Sequence, residues 1–344
     1  ASSIAVDSGD GQSGSATSQL GSDFVVLVTD EFGNAVSGTQ VDWTVSSVPS
    51  GATGQNLSVT QINTDSSGLA ATRLTLGDKA GDYQVEAASG ALTGSPVTIT
   101  ATAAAQSATQ IALVSGDLQS GTVNSTLTNA FVVQVTDDFG NPVSGVTVDW
   151  TIATVPSGAS GQNLSEGQTL TDVAGEARTT LTLGDKAGEY RVEAASGTLS
   201  GSPVTFSASA NSDAATTLSL LTGTCQNGEL NTALPNPFVI KVTDDGGNPV
   251  SGITVSWSMP YAPATSLGKS LSVAMSVTDE NGEASTTFTL GDKEGLYRIE
   301  AACAGLAGSP VAFTATTDKS NFFDGFRHYH FGIPYVLNDG NALT

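Results

Sequence analysis

Four kinds of residue in this sequence could carry chemistry: acidic pairs, recurring lysines, two cysteines and two histidines. The acidic pairs Asp30-Glu31, Asp137-Asp138 and Asp244-Asp245 each begin a short polar stretch that contains glycine. Calcium takes carboxylate ligands, but these pairs lack the twelve-residue loop spacing of a specific calcium site. Asp side chains also hydrogen-bond the backbone of their own turns. We interpret the pairs as turn-stabilising residues and keep calcium binding as the alternative.

Histidine is confined to the C-terminal end of the sequence, where His328 and His330 occur. A Ser-His-Asp or Cys-His arrangement therefore cannot be built from the residues upstream of them. Carboxylates in turns are solvated and lack a cleft that would raise their pKa values. Two histidines on one face of a strand are too few to bind a metal, so we interpret them as polar surface residues. We predict no enzymatic activity, no bound metal and no cofactor.

The elements that position these residues recur with a period of 107 residues. The stretch Val135–Trp150 is found again at Val28–Trp43 and at Val242–Trp257. A repeat of about 100 residues can bury a core of its own, so the period predicts tandem domains. Three domains and a tail are predicted, at residues 1–107, 108–214, 215–317 and 318–344.

Short alternating or apolar stretches, separated by turn residues, predict seven strands in the first repeat. They are Ser3–Asp7, Asp23–Thr29, Val41–Val45, Leu57–Ile62, Leu69–Leu76, Asp82–Ala88 and Val97–Ala101. The Gly- and Ser-rich stretch Gly9–Gly21 is predicted to be a loop. Strands with turns every eight to twelve residues are typical of a β-sandwich. The prediction is an all-β chain of three tandem immunoglobulin-like sandwiches with an extended C-terminal strand segment.

Each repeat carries one Trp and one Tyr at matching positions. The tryptophan alternates with valines that face the same side of a strand, as Val41 and Val45 flank Trp43. The tyrosine follows a glycine near the start of the sixth strand, where a tyrosine corner is found in such sandwiches. The expected core aromatics are Trp43, Trp150, Trp257, Tyr83, Tyr190 and Tyr297.

The two cysteines, Cys225 and Cys303, both occur in the third repeat and have no cysteine counterpart in the other two. Two cysteines that arise together in one domain suggest a bond between them. A disulfide here would close a long loop, which the chain-entropy argument values at about 4–5 kcal/mol. We therefore predict a Cys225–Cys303 disulfide and an oxidising compartment.

Three separated motifs recur in the same order in all three repeats, at 135–148, 171–177 and 188–194 in the second copy. This pattern resembles the bacterial Ig-like domains of the Big-1 type, which occur in invasin- and intimin-like adhesins. The resemblance covers residues 1 to about 317. It implies a stalk that is displayed on a bacterial surface and carries a binding tip. The lysines Lys79, Lys186 and Lys293 recur within it and are interpreted as solvated turn residues.

The tail alternates in polarity with a period of two, which is the period of a β-strand. Its apolar positions are Tyr329, Phe331, Ile333, Tyr335 and Leu337. An exposed apolar strand tends to pair with other chains unless something covers it. We predict that these residues form a docking strand. Three possibilities stay open: the tail folds back on the third domain, begins a further domain, or adds to a neighbouring chain by β-augmentation.

The chain is strongly acidic, with a net charge of −22 from 33 acidic and 11 basic residues. An evenly acidic surface repels nucleic acid and anionic membranes. No apolar run is long enough to span a bilayer. We predict an extracellular bacterial protein: an elongated rod that forms a surface filament with itself, head to tail, through its C-terminal strand. The alternative is an adhesin stalk that binds a host or carbohydrate ligand.

Overall fold

The computed structural model of the protein describes residues 1–317. These residues form three successive β-sandwiches from thirty strands, and no helix occurs among them. The predicted all-β fold with three repeated sandwiches is therefore confirmed. None of the described residues forms a helix of the length and hydrophobicity that a membrane span requires. The docking strand predicted at 329–337 and both histidines lie outside the described residues.

Each sandwich contains ten strands in the same order. The first holds β1 (Ser3–Ser8), β2 (Gln12–Ser15), β3 (Phe24–Thr29), β4 (Gln40–Ser47), β5 (Asn56–Leu57), β6 (Gln61–Asn63), β7 (Leu69–Thr72), β8 (Leu74–Thr75), β9 (Gly81–Ala88) and β10 (Val97–Ala104). The second holds β11 (Gln110–Ser115), β12 (Gln119–Thr122), β13 (Phe131–Thr136), β14 (Thr147–Thr154), β15 (Asn163–Leu164), β16 (Gln168–Leu170), β17 (Glu176–Thr179), β18 (Leu181–Thr182), β19 (Gly188–Ala195) and β20 (Val204–Asn211). The third holds β21 (Thr217–Thr222), β22 (Gln226–Gly228), β23 (Phe238–Thr243), β24 (Thr254–Tyr261), β25 (Ser270–Leu271), β26 (Met275–Val277), β27 (Glu283–Thr286), β28 (Phe288–Thr289), β29 (Leu296–Ala302) and β30 (Val311–Thr317).

Two main sheets face each other in every sandwich. In the first domain a three-stranded sheet has the order β1-β3-β7, and a five-stranded sheet has the order β2-β10-β9-β4-β6. A small two-stranded sheet joins β5 to β8. The other two domains repeat this arrangement strand for strand. In the third domain the five-stranded sheet has the order β22-β30-β29-β24-β26, which places the short strand β26 at one edge.

Alternation along the strands decides which side chains enter the core. In β3, Phe24, Val26 and Val28 are fully buried, whereas the residues between them are only partly covered. Successive side chains of a strand point to opposite faces, so a run of apolar residues at every second position builds one buried face. The inward residues of the two main sheets form one apolar core in each domain.

The structure corrects the strand assignment in two places. The stretch Gly9–Gly21, predicted to be a loop, contains β2, which pairs in parallel with β10. Its Gln-Ser-Gly-Ser sequence has no apolar alternation that would predict a strand. The strand forms because its backbone pairs with β10. The strands predicted at Leu57–Ile62 and Leu69–Leu76 are each divided into two short strands. In both cases the second half pairs with a different neighbour from the first.

The repeated aromatic residues are all buried. Trp43, Trp150, Trp257, Tyr83, Tyr190 and Tyr297 have almost no exposed surface. Each tyrosine hydroxyl donates a hydrogen bond to the carbonyl oxygen of the lysine four residues earlier, at 2.7–2.8 Å. This is the bond that a tyrosine corner makes. It ties the start of the buried strand to the loop that precedes it.

The indole N–H is satisfied in two domains and not in the first. Trp150 Nε1 donates to Thr169 Oγ1 at 2.8 Å, and Trp257 Nε1 donates to Ser276 Oγ at 2.8 Å. In the first domain Ile62 occupies that position, and Trp43 Nε1 is buried without a partner among the described residues. A buried donor left without an acceptor costs about 1–3 kcal/mol.

We expect Ile62→Thr to stabilise the first domain by about 1 kcal/mol, because it gives Trp43 Nε1 an acceptor. Scanning calorimetry of the full chain should show one transition moving up by several degrees. The reverse change in the second domain, Thr169→Ile, is the matched control and should lower a different transition. A first-domain transition that stays in place or moves down in Ile62→Thr would contradict the explanation.

Candidate interdomain joints

A set of hydrogen bonds connects the first domain to the second, and we call it the first joint. The side chain of Asn141 donates from Nδ2 to the carbonyl oxygen of Asp78 at 2.8 Å. Its Oδ1 accepts from the backbone N–H of Ala80 at 2.9 Å. The ammonium group of Lys79 donates to the carbonyl oxygen of Phe139. The side-chain amide of Asn141 thus hydrogen-bonds the backbone of the facing loop both as a donor and as an acceptor.

Asp137 holds Asn141 in position from the same turn. Its Oδ1 accepts the backbone N–H groups of Phe139 and Asn141, each at 2.9 Å. Its Oδ2 accepts Asn141 Nδ2 and the backbone N–H of Gln106 in the interdomain linker, also at 2.9 Å. Burial alone would raise the pKa of Asp137, but these four hydrogen bonds outweigh it and hold the pKa below its usual value. The carboxylate therefore stays ionised inside the joint.

The second joint repeats the first between the second and third domains. Asn248 Nδ2 donates to the carbonyl oxygen of Asp185 at 2.9 Å, and its Oδ1 accepts the Ala187 N–H at 2.9 Å. Asp244 is buried and accepts the N–H of the linker residue Asp213 at 3.0 Å. Burial again opposes ionisation of Asp244, and hydrogen bonds again bring its pKa below the usual value. Two joints of the same construction therefore link the three domains.

The corresponding turn of the first domain has the same internal bonds but is exposed. Asp30 Oδ1 accepts the N–H groups of Phe32 and Asn34, and its Oδ2 accepts Asn34 Nδ2 at 3.1 Å. Phe32 is 80% exposed, whereas Phe139 in the first joint is 37% exposed. The internal hydrogen bonds of the turn therefore do not depend on contact with a second domain.

Two of the three acidic pairs and two of the three lysines identified in the sequence thus meet at the joints, whereas the Asp30-Glu31 turn is exposed and Lys293 lies 3.8 Å from the carboxylate of Asp292. The first acidic residue of each pair caps its own turn, as interpreted from the sequence, and in two domains it also binds the linker. Every oxygen of Asp137 already accepts two N–H groups, which leaves the carboxylate poorly suited to a cation. Within residues 1–317 no group of three or more acidic, His or Cys side chains is placed to hold a metal ion. Lys79 and Lys186 are interdomain donors, a role that the sequence analysis missed.

The predicted Cys225–Cys303 disulfide is not formed in the structure, where both cysteines are free thiols. Cys225 lies beside Thr314 on β30, with their side chains 3.6 Å apart, whereas the N–H of Cys303 binds Ser309 Oγ beyond the other end of that strand. Arg298 on β29 pairs with Thr314, and Cys303 comes five residues after Arg298, directly beyond the end of β29, so the two cysteines are separated along the strands by about 16 Å. A disulfide requires Cα atoms within about 7 Å. The two cysteines are therefore too far apart to be bridged.

The two thiols also differ in chemistry. Cys303 replaces a buried serine of the other domains, and its Sγ donates a hydrogen bond to the carbonyl oxygen of Thr254 at 3.3 Å. In the other two domains Ser89 Oγ donates to the carbonyl oxygen of Gln40 at 2.6 Å, and Ser196 Oγ donates to that of Thr147 at 2.7 Å. Burial raises the pKa of Cys303. Cys225 is exposed, and hydrogen bonds from threonine hydroxyls lower its pKa. With no disulfide, the cysteines give no support to an oxidising compartment.

The fold and the repeated joints define a class of protein, namely tandem immunoglobulin-like sandwiches of the bacterial type. The chain belongs to the bacterial Ig-like domain (group 1) family, whose model matches residues 114–208 and 231–316. This confirms the resemblance drawn from the repeated motifs. The first domain carries the same strands as the two matched domains, and its buried Phe24, Trp43 and Tyr83 have buried aromatic counterparts in both.

One solved structure shares the fold at a TM-score above 0.5, and two others are similar at lower scores. The Escherichia coli adhesin FdeC is 17% identical, with 91% of this chain and 96% of that chain covered and a TM-score of 0.54. Invasin, a bacterial integrin-binding protein, is 15% identical over 92% of this chain and 60% of that chain, with a TM-score of 0.44. Yersinia pseudotuberculosis InvD is 14% identical over 88% and 94% of the two chains, with a TM-score of 0.47. At these identities the likeness concerns the fold alone.

We expect Asn141→Ala to release the Ala80 amide, because Asn141 Oδ1 is its acceptor. Loss of a hydrogen bond worth about 0.5–1.5 kcal/mol should speed hydrogen exchange at Ala80 by up to about ten-fold. NMR of the full chain measures this, and the Ala187 amide in the second joint is an internal reference. Asn34→Ala is the matched control, because it removes the same side chain from the exposed turn. Unchanged exchange at Ala80 in Asn141→Ala would show that the joint does not hold the loop.

Proposed function

We propose that this chain is a rod segment of an adhesin-type protein on a bacterial cell surface. The observation that carries the proposal is the repeated joint, in which a buried Asn and Asp connect each domain to the one before it. Identical joints set identical relations between successive domains, so a string of such domains extends in one direction. A rod of this kind holds a binding region away from the cell.

Family membership and relatives support this assignment. The chain belongs to a bacterial Ig-like family, and FdeC, which shares its fold, is an adhesin. The acidic surface suits a stalk that must not adhere to anionic membranes or to copies of itself along its length. On this proposal the protein is extracellular, acts as a structural support and not as an enzyme, and serves the binding of a host or carbohydrate ligand.

The tail supports a second, finer proposal: the rods assemble into a surface filament through their C-terminal strands. The observation behind it is the alternation of apolar residues from Tyr329 to Leu337 in the sequence. A strand that docks on another copy makes a contact between different surfaces, and such a contact propagates as a fibre when it does not close on itself. The filament would then consist of this chain alone.

Small-angle X-ray scattering of the full chain tests the rod. We expect Asn141→Ala combined with Asn248→Ala to broaden the distribution of maximum dimensions, because both joints lose their central side chain. The control variant Asn34→Ala should scatter as the wild-type chain does. A rod as stiff in the double variant as in the wild type would mean that the joints do not set the shape.

Truncation after Asp318 tests the filament. We expect polymers in electron micrographs of the full chain and none in the truncated chain, with the melting of the three domains unchanged. Polymers that survive the truncation, or a full chain that is monomeric at all concentrations by light scattering, would refute tail-mediated assembly. The second result would leave the rod proposal standing.

A further inference from the structure

The outer face of the five-stranded sheet in the third domain carries four large apolar side chains. We call it the Tyr261 face and define it by Tyr261, Met275, Val277 and Leu296, which are 56%, 60%, 59% and 44% exposed. Tyr261 on β24 pairs with Arg298 on β29. Leu296 lies two residues before Arg298 on β29, so its side chain is on the same side of the sheet. Met275 and Val277 form the outward side of the edge strand β26.

The two sister domains provide an internal comparison for this face. Their equivalent positions are polar or charged with one exception, Leu170. They are Ser47, Gln61, Asn63 and Asp82 in the first domain and Thr154, Gln168, Leu170 and Glu189 in the second. Since the three sheets have the same strand order, the fold does not require apolar residues here. The third domain therefore differs at its surface for a reason other than folding.

The change also removes a polar contact between neighbouring strands. Gln61 Nε2 donates to Asp42 Oδ1 at 2.7 Å, and Gln168 Nε2 donates to Asp149 Oδ1 at 2.6 Å. In the third domain Met275 takes the position of the glutamine, and a serine takes that of the aspartate. The charged residues that remain on β24, β26 and β29 are Arg298 and Glu300, which pair with each other at 2.9 Å. The Tyr261 face thus consists of two apolar pairs, Tyr261 with Leu296 and Met275 with Val277, and it has no net charge because the two charged residues between the pairs bind each other.

We propose that the Tyr261 face is the docking site for segment 329–337 of a neighbouring copy of this chain. The inference rests on the tail-mediated assembly proposed above and identifies the surface that receives the strand. The segment contains no charged residue and alternates apolar side chains on one side. Such a strand can bury its apolar side against a flat, neutral sheet face without leaving an unpaired charge in the contact.

The dimensions of the face match those of the segment. From Leu296 to Val277 the face runs about eight residues along the strands and two strand spacings across them, which is about 28 Å. Nine residues in an extended conformation span about 30 Å. Pro334, which has no N–H, is tolerated in a strand that packs through its side chains and need not complete a backbone ladder.

The location of the face also points to the tail. The third domain is the one that the tail follows in sequence, and it alone of the three carries this cluster of apolar residues. Leu296 pairs with Thr316 near the end of β30, so the tail leaves the domain beside one end of the Tyr261 face. Copies that come together through their tails therefore bring their third domains close to each other.

The two methionines of the chain make the contact measurable. Met275 lies on the face, whereas Met259 is partly buried against the core of the same domain. Methionine oxidation by peroxide depends on exposure and is read by mass spectrometry. We expect Met275 to oxidise at least about five-fold more slowly in the full chain than in the chain that ends at Asp318. Met259 should oxidise at the same rate in both, and equal Met275 rates would overturn the inference.

A variant built from sister residues tests the same contact by another readout. Tyr261→Thr, Met275→Gln, Val277→Asn and Leu296→Glu, made together, restore side chains that the sister domains carry at these positions while folding in the same way. We expect polymers to disappear from electron micrographs and the melting of the three domains to persist. The matched control is Leu170→Asn in the second domain, which should assemble as the wild type does.

The outcomes separate this inference from the filament proposal. Polymers that persist in the four-residue variant overturn the Tyr261 face as the docking site and leave the filament proposal intact. If Met275 oxidises slowly in a chain shown to be monomeric by sedimentation, the face is covered within one chain. This result overturns the neighbouring copy as the source of the docking segment and refutes the filament. Slow Met275 oxidation only at concentrations where polymers form supports both.

Discussion

The alternation of side chains across each strand is the constraint on which the rest of this structure depends. One side of the central strands must fill a core, so residues such as Phe24, Val26 and Val28 of β3 cannot vary in polarity. The other side faces water and is free to differ between domains. The three sandwiches accordingly share their buried residues and diverge on their outer faces, with the largest apolar change in the third domain.

The joints show how a turn can serve two purposes. An Asp side chain that caps its own turn can also accept a linker N–H with its second oxygen, and these hydrogen bonds outweigh the desolvation of the buried carboxylate. Asp30 makes the capping bonds alone, whereas Asp137 and Asp244 make the capping and linker bonds together. The burial of these carboxylates is possible because each one is fully hydrogen-bonded. A preformed turn loses little entropy when the next domain docks.

Sequence reasoning failed where the deciding contact was distant along the chain. The two cysteines looked paired because they appear together in one repeat, yet one replaces a buried serine hydroxyl and the other lies exposed in the bend before β22. Spacing in sequence carries no information about which end of a strand a residue reaches. The strand β2 was missed for a related reason, since its Gln-Ser-Gly-Ser sequence is held by backbone pairing with β10 and not by an apolar pattern. The interdomain role of Lys79 likewise depends on a carbonyl group 60 residues away.

The amino-acid sequence by itself determined the all-β class, the three domains and the identity of the buried aromatics, because a period of two and a period of 107 residues are both visible in it. Tertiary structure alone decided the pairing of strands, the separation of the cysteines and the meeting of Asn141 with the loop of the preceding domain. These depend on which residues the fold brings together in space, and a local pattern does not encode that. The Tyr261 face belongs to both kinds: its residues are evident in the repeat comparison, but only the sheet register places them on one face of the same sheet.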